Sequence, residues 1–178
     1  MLKRGVRREY LSEFVYGGID GAVTTFAVVS GAMGASLTST VILILGFANL
    51  FADGFSMAVS NYLSTSSQRE LNLRHKHAHP HEEKSPKRTA IATFISFLAI
   101  GIIPLISFVL SPVSQTINSN KFVLSFVLTG IALLIVGAVK GKVIGKHYLK
   151  SSFETLAIGG VAALIAFLVG YLLKGLAG

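Results

Sequence analysis

The chain has 178 residues, enough for one domain, and combines 52% hydrophobic with only 13% charged residues. Soluble domains carry about 25% charged residues, so this composition excludes most soluble enzymes and disordered proteins. Cysteine is absent, which excludes disulfide frameworks, and the net charge of +8 indicates either a nucleic-acid partner or cytoplasmic loops of a membrane protein.

Five apolar stretches approach the length of about 20 residues that crosses a bilayer. They predict a single, all-α transmembrane domain. The first stretch follows a basic segment, as in a signal peptide, but it is too long and contains Asp20, so we expect it to be retained. Pro104 predicts a kink in the third. The five predicted spans cover residues 14–36, 40–63, 89–110, 122–139 and 155–173.

The distribution of lysine and arginine predicts the orientation. With the N-terminus inside, segments 1–13, 64–88 and 140–154 face the cytosol and hold 14 of the 16 basic residues. Because cytoplasmic loops are enriched in Lys and Arg, the N-terminus is predicted inside and the C-terminus outside. The predicted topology then accounts for the net positive charge, and no nucleic-acid partner is expected.

Two acids, Asp20 and Asp53, lie within the predicted spans. A carboxylate at this depth costs about 2.5–3.5 kcal/mol on insertion scales and usually faces a cavity or a partner. One such Asp could simply be protonated and bonded to a neighbouring helix, but two in adjacent helices favour a functional site. A rise of about 1.5 Å per residue sets Asp20 level with Met57, and Thr24 level with Asp53.

Four side chains of the second span recur at intervals of four residues and form a column on one helix face. They are Asn49, Asp53, Met57 and Asn61. A carboxylate with a thioether disfavours Mg²⁺ and Ca²⁺ and suits a softer transition metal. The column therefore indicates a metal pathway or a polar helix contact, and a ligand role for Met57 is weighed evenly against packing.

Small residues at Gly17-x-x-x-Gly21 and Gly54-x-x-x-Ala58 permit close helix approach. Packing within the chain explains this spacing at least as well as a dimer face.

The segment 64–88 carries an unusual tract of imidazoles and carboxylates. Histidine-rich tracts bind metal, so a weak, flexible metal-collecting or sensing loop is favoured over a merely solvated basic loop. The basic residues of the segment could equally rest on anionic lipid headgroups. The tract comprises His75, His77, His79, His81, Glu82 and Glu83.

No nucleotide-binding loop or nucleophile motif is present in the sequence. We therefore expect neither an enzyme nor ATP-driven transport, and any uphill transport would draw on an ion gradient.

The segments from Glu13 to Gly31 and from Gly46 to Leu63 resemble the first two helices of the vacuolar iron transporter family. Lys140-Gly-Lys142 and Ile158-Gly-Gly160 are similar to that family's closing helices. The resemblance covers most of the chain.

The resemblance implies a homodimer that exports Fe²⁺ or Mn²⁺ from the cytosol in exchange for protons. The metal is a transported substrate, and no permanently bound cofactor is expected. Asp20 and Met57 match metal-binding positions of the family, and Glu9 and Glu13 lie near acidic positions at its cytosolic mouth. Asp53, Thr24, Asn49 and Asn61 would complete the site and its pathway.

The chain departs from many members of this family in two ways. An acid found two turns before the methionine in many eukaryotic members is replaced by Asn49, and segment 64–88 is too short for a three-helix cytosolic domain. A short chain without this cytosolic domain favours a location in a prokaryotic plasma membrane. The alternative hypothesis is a non-transporting membrane partner or metal-sensing subunit that uses the His-rich loop.

Overall fold

A computed structural model describes residues 10–74 and 84–176, which form helices joined by turns, without a strand in these two ranges. The all-α prediction is confirmed for this part of the chain. The helices are α1 (Leu11–Gly34), α2 (Ser39–Arg74), α3 (Pro86–Gly101), α4 (Ile103–Val109), α5 (Gln115–Val143) and α6 (Tyr148–Leu173), followed by a 3₁₀ turn at Lys174–Leu176.

Helix α1 is the centre of the bundle and contacts each of the other five α-helices. Glycines allow its backbone to come close to its neighbours, since they lack a side chain that would separate the helices. A Cβ atom added at Gly21 would meet the carbonyl oxygen of Phe97 on α3, and one added at Gly34 would meet the carbonyl oxygen of Phe167 on α6. The Gly17-x-x-x-Gly21 spacing is therefore used for packing within the chain.

Four helices, α1, α2, α5 and α6, are long and apolar enough to cross a membrane, and α3 with α4 makes a fifth candidate if this bent pair is one span. Their outward faces expose many large apolar side chains, including Ile158, Leu164 and Leu168 of α6. Contiguous apolar surface of this extent is rare on soluble monomers. The chain is therefore a multi-pass membrane protein.

The predicted kink in the third span is confirmed. The axes of α3 and α4 differ by 45°, and Pro104 is the second residue of α4. Proline lacks an N–H donor and its ring collides with the preceding turn, so a helix bends there. The bend is covered from α5, because the Ser125 hydroxyl donates a hydrogen bond of 2.6 Å to the Pro104 carbonyl.

The predicted inner loops are shorter than the sequence indicated. Helix α2 continues to Arg74, so residues 64–74 are helical where a loop was expected, and segment 140–154 contains only a short turn between Val143 and Tyr148. Apolar runs mark the part of a helix that lies in lipid, whereas the backbone hydrogen bonds of a helix continue equally well through polar residues. The His/Glu tract at 75–83 lies outside the described residues.

One end of the bundle gathers the start of α1, the end of α2, the start of α3 and the α5–α6 turn. We call it the basic end, because lysines such as Lys84, Lys87 and Lys142 lie there. An apolar cluster that includes Val29, Ile42 and Phe108 fills the opposite end.

The glycine contacts yield a matched pair of substitutions. We expect Gly21→Ala to lower the free energy of unfolding by about 1–3 kcal/mol, because the added methyl group collides with the α3 backbone. Gly160→Ala on α6 meets no atom within 4 Å and should be neutral or stabilise by up to about 1 kcal/mol. Thermal unfolding in detergent measures both, and equal effects would contradict the close-packing account.

Candidate metal site

Asp20 lies on α1 beside a cavity of about 410 Å³ that extends to the basic end, where Ser12 and Lys140 line it. Residues of α1, α5 and α6 line this cavity, and its two charged lining residues are Asp20 and Lys140. Helices α1 and α6 are in close backbone contact around Gly31 and Gly170. The cavity lies between α1 and the α5–α6 pair, and Asp20 is one of its lining residues.

Asp53 on α2 is the second carboxylate of the site. Gly21 and Gly54, the chain neighbours of the two aspartates, both pack against Phe97 of α3, which sets Asp20 and Asp53 at about the same level. The two carboxylates therefore lie in one layer of the bundle, on adjacent helices. The length-based estimate placed Asp20 level with Met57, and it was wrong by about one turn because the helices do not start at the same depth.

The polar column on α2 lies at the border between its packed face and its open face. Asn49, Asp53, Met57 and Asn61 are all partly buried, while Leu50, Gly54 and Ala58 beside them are buried. The column therefore faces the groove next to α1 and α3 rather than open surface.

The two amides of the column differ in their partners. Asn61 Nδ2 donates a hydrogen bond of 2.7 Å to Thr93 Oγ1 of α3, so this end of the column is a polar helix contact. Asn49 Nδ2 is buried and has no partner within the described residues. An unpaired buried amide is costly, and it leaves Asn49 available to a ligand or to water.

Thr24 lies one turn beyond Asp20 on α1. Its hydroxyl donates a hydrogen bond of 2.9 Å to the Asp20 carbonyl oxygen, so the proton is occupied while the oxygen lone pairs stay available. Thr24 can accept a hydrogen bond or contact a cation, but it has no free proton to donate.

Glu13 lies two turns before Asp20, at the basic end of α1. Its side chain is 13% exposed and forms an ion pair with Lys84, with Lys84 Nζ at 2.7 Å from Glu13 Oε1. The two acids share one side of α1, since residues seven apart lie on the same face. The other predicted acid, Glu9, and the predicted ligands from His75 to Glu83 lie outside the described residues.

Three residues near the site escaped the sequence analysis. Tyr16 lines the cavity and is 60% exposed, and its position between Glu13 and Asp20 on the same helix face could have indicated it. Lys140 and Lys84 come from distant parts of the chain, so no local pattern could bring them to α1.

The donor set of one chain is small. In the ranges 10–74 and 84–176, no three His, Asp or Glu side chains come together as a metal site. Asp20 and Asp53 offer hard oxygen ligands and Met57 a soft sulfur, which is fewer than the four to six ligands that divalent transition metals take. A divalent transition metal bound there would need further ligands.

A model of the VIT family matches residues 11–82 and 70–171, which together extend from α1 to nearly the end of α6. The chain belongs to the VIT family. The resemblance on which the sequence analysis relied is thereby confirmed.

Similar members of the VIT family come from protists and plants. The "Vacuolar iron transporter" of Plasmodium falciparum is 26% identical, over 94% of this chain and 83% of the relative. "Vacuolar iron transporter 1" of Arabidopsis thaliana is 26% identical, over 89% and 84%. "Vacuolar iron transporter homolog 4" of the same plant is 27% identical, over 89% and 80%.

The relatives differ in how many residues their alignments with this chain span. The Plasmodium alignment extends over 227 residues, more than the 178 residues of the chain, so that relative carries an insertion. The two stretches that match the VIT family overlap at residues 70–82, which begin within the last turns of α2. The alignment with homolog 4 extends over only 165 residues.

The hydrogen bond of Asn61 yields a matched pair on α3. Thr93→Val removes the acceptor of Asn61 and a 3.0 Å bond to the Thr89 carbonyl, so we expect the free energy of unfolding to fall by about 1–3 kcal/mol. Thr89→Val removes a buried hydroxyl without a partner in the described residues and should change it by less than about 0.5 kcal/mol. Thermal unfolding in detergent distinguishes the two, and a neutral Thr93→Val would contradict the polar contact.

Proposed function

We propose that this chain is a proton-coupled transporter that moves Fe²⁺, and also Mn²⁺, out of the cytosol. Membership of the VIT family and the names of its relatives, which are vacuolar iron transporters, support this proposal. The single observation that carries it is the pair of aspartates at one level of the bundle, with Asp20 beside a cavity that extends to the basic end.

The paired carboxylates provide a basis for exchange. Two like charges that repel each other are relieved either by one divalent cation or by protons. Because a carboxylate must be deprotonated to bind metal, the two kinds of cation compete for Asp20 and Asp53. Met57 adds a thioether, a soft ligand that favours a transition metal such as Fe²⁺ over the abundant Mg²⁺ and Ca²⁺, which prefer oxygen ligands.

The incomplete donor set supports a homodimer. The face of α1 that carries Gly17 and Gly21 is occupied by α3, whereas Tyr16, Asp20 and Thr24 remain partly or largely exposed. Two copies that meet along this open face would bring two sets of ligands together. The two copies together would supply the number of ligands that a divalent metal requires, without a further domain.

The basic end supports an orientation with the N-terminus in the cytosol and five spans, the bent α3–α4 pair being one of them. Metal would then enter past Glu13 and reach Asp20 through the cavity, with Asn49 and Thr24 beyond. We place the protein in a prokaryotic plasma membrane, where the same topology exports metal from the cell.

The role of Asp20 predicts the effect of its amide variant. In proteoliposomes whose outer medium contacts the basic end, Asp20→Asn should lower the initial rate of Fe²⁺ or Mn²⁺ uptake at least about 100-fold. Loss of an outer-shell partner alone costs 10- to 100-fold, and this change removes a ligand. Glu70→Gln, on the exposed end of α2, is the matched control and should retain the full rate. Undiminished uptake by Asp20→Asn would refute the mechanism.

Exchange with protons predicts a dependence on the pH gradient. A vesicle interior one pH unit more acidic than the medium supplies about 1.4 kcal/mol per coupled proton, which raises steady-state accumulation up to about tenfold for each coupled proton. Reversal of the gradient should slow uptake, and a protonophore should abolish the difference. Accumulation that is independent of the gradient would contradict proton coupling. Because the purified chain is tested alone, flux also excludes a purely sensing subunit.

A further inference from the structure

The contact between Lys84 and Glu13 joins two segments that are 71 residues apart in the sequence. Lys84 Nζ donates hydrogen bonds to Glu13 Oε1 at 2.7 Å and to Ser12 Oγ at 3.2 Å. The Ser12 hydroxyl in turn donates to Glu13 Oε2 at 2.8 Å. Both carboxylate oxygens of Glu13 are thus occupied, one of them by a cation.

The backbone around this ion pair is fixed by further contacts. The Ser85 N–H donates a hydrogen bond of 3.1 Å to the Tyr10 hydroxyl, which ties the start of α3 to the start of α1. A Cβ added at Gly17 would collide with Ser96 and the Thr93 carbonyl, so α1 and α3 already touch one turn farther along. The lysine is therefore held beside Glu13 by the fold and does not depend on a chance surface encounter.

Burial makes the pair stronger than an exposed one. The Glu13 side chain is 13% exposed and that of Lys84 is 38% exposed, so water screens the attraction only in part. A tethered group also acts at an effective concentration in the millimolar range. A divalent cation that reaches Glu13 must therefore displace the Lys84 ammonium, which the fold holds beside this carboxylate.

We propose that Lys84 is a positioning residue that competes with the incoming divalent cation for Glu13 and thereby sets the apparent metal affinity at the basic end. This proposal rests on the proposed transport function. The ammonium keeps Glu13 neutralised in the absence of metal, so an empty carrier does not hold an unpaired, partly buried carboxylate at its entrance. A divalent ion at sufficient concentration replaces the ammonium, which then turns toward water.

Transport kinetics test the proposal. Lys84→Met keeps the length of the side chain and removes its charge. We expect it to lower the KM for Mn²⁺ about fivefold, the range of partly exposed ion pairs, with less than a twofold change in kcat. In a Glu13→Gln background the same change should have no effect on KM, because the competition needs the carboxylate.

Lys87→Met is the matched control. Lys87 lies three residues farther along, in the first turn of α3, and removing it deletes the same charge from the basic end. If both lysine variants lower KM equally, the effect is general electrostatics and the proposal is overturned. An unchanged KM in Lys84→Met, or a lowered KM that persists in the Glu13→Gln background, overturns it as well.

A binding measurement separates this proposal from the transport function. Electron paramagnetic resonance measures the concentration of unbound Mn²⁺ in a solution of the purified protein in detergent. The Kd for Mn²⁺ should be about fivefold lower in Lys84→Met than in the wild type or in Lys87→Met. If the wild type binds Mn²⁺ with this pattern and does not transport it, transport fails and the role of Lys84 stands. If transport proceeds and neither KM nor Kd responds to Lys84→Met, the role of Lys84 fails alone. Absence of Mn²⁺ binding by the wild type overturns both.

Discussion

The close backbone contact of α1 with its neighbours is the constraint on which the rest of the structure depends. Glycines on one side of α1 bring it against α3, and glycines at its far end bring it against α6, with no side chain between the helices. These contacts fix α1 at the centre of the bundle and decide which of its faces is left over. The face of α1 that these contacts leave open carries Asp20. The glycine contacts therefore determine both the packing of α1 and the position of the site.

The same contacts govern the electrostatics. Phe97 of α3 touches the glycine next to each aspartate, and this shared neighbour holds two carboxylates at one level in a low-dielectric layer. Two neighbouring carboxylates destabilise each other's charge unless cations neutralise them. In a carrier, this promotes the binding of a metal ion or of protons. At the basic end Glu13 differs from the two aspartates, because the fold supplies Lys84 as its counter-ion. The bundle thus combines an acid that is ion-paired at the basic end with two acids at one level farther inside.

Local patterns predicted much of this arrangement. Apolar runs located the helices, Pro104 located the bend, and the period of four residues on α2 identified the polar column. The ends of the helices were poorly predicted, as at Arg74. Hydropathy marks the part of a helix that lies in lipid, whereas the helix itself continues through polar residues beyond that part. The column also hid two different roles: spacing could not show that Asn61 is bonded to Thr93 while Asn49 Nδ2 has no partner in the described residues.

By itself the sequence determined that this is a multi-helix membrane protein of the VIT family with acids in two adjacent spans, since apolarity, charge and motif spacing are properties of contiguous residues. Only the tertiary structure decided that Asp20 is level with Asp53, that Gly17 and Gly21 serve internal packing, and that Lys84 and Lys140 lie near α1. The physical reason is that helix offset, helix rotation and contacts across 70 or more residues arise from how side chains and glycines interlock. No local pattern along one helix contains that information.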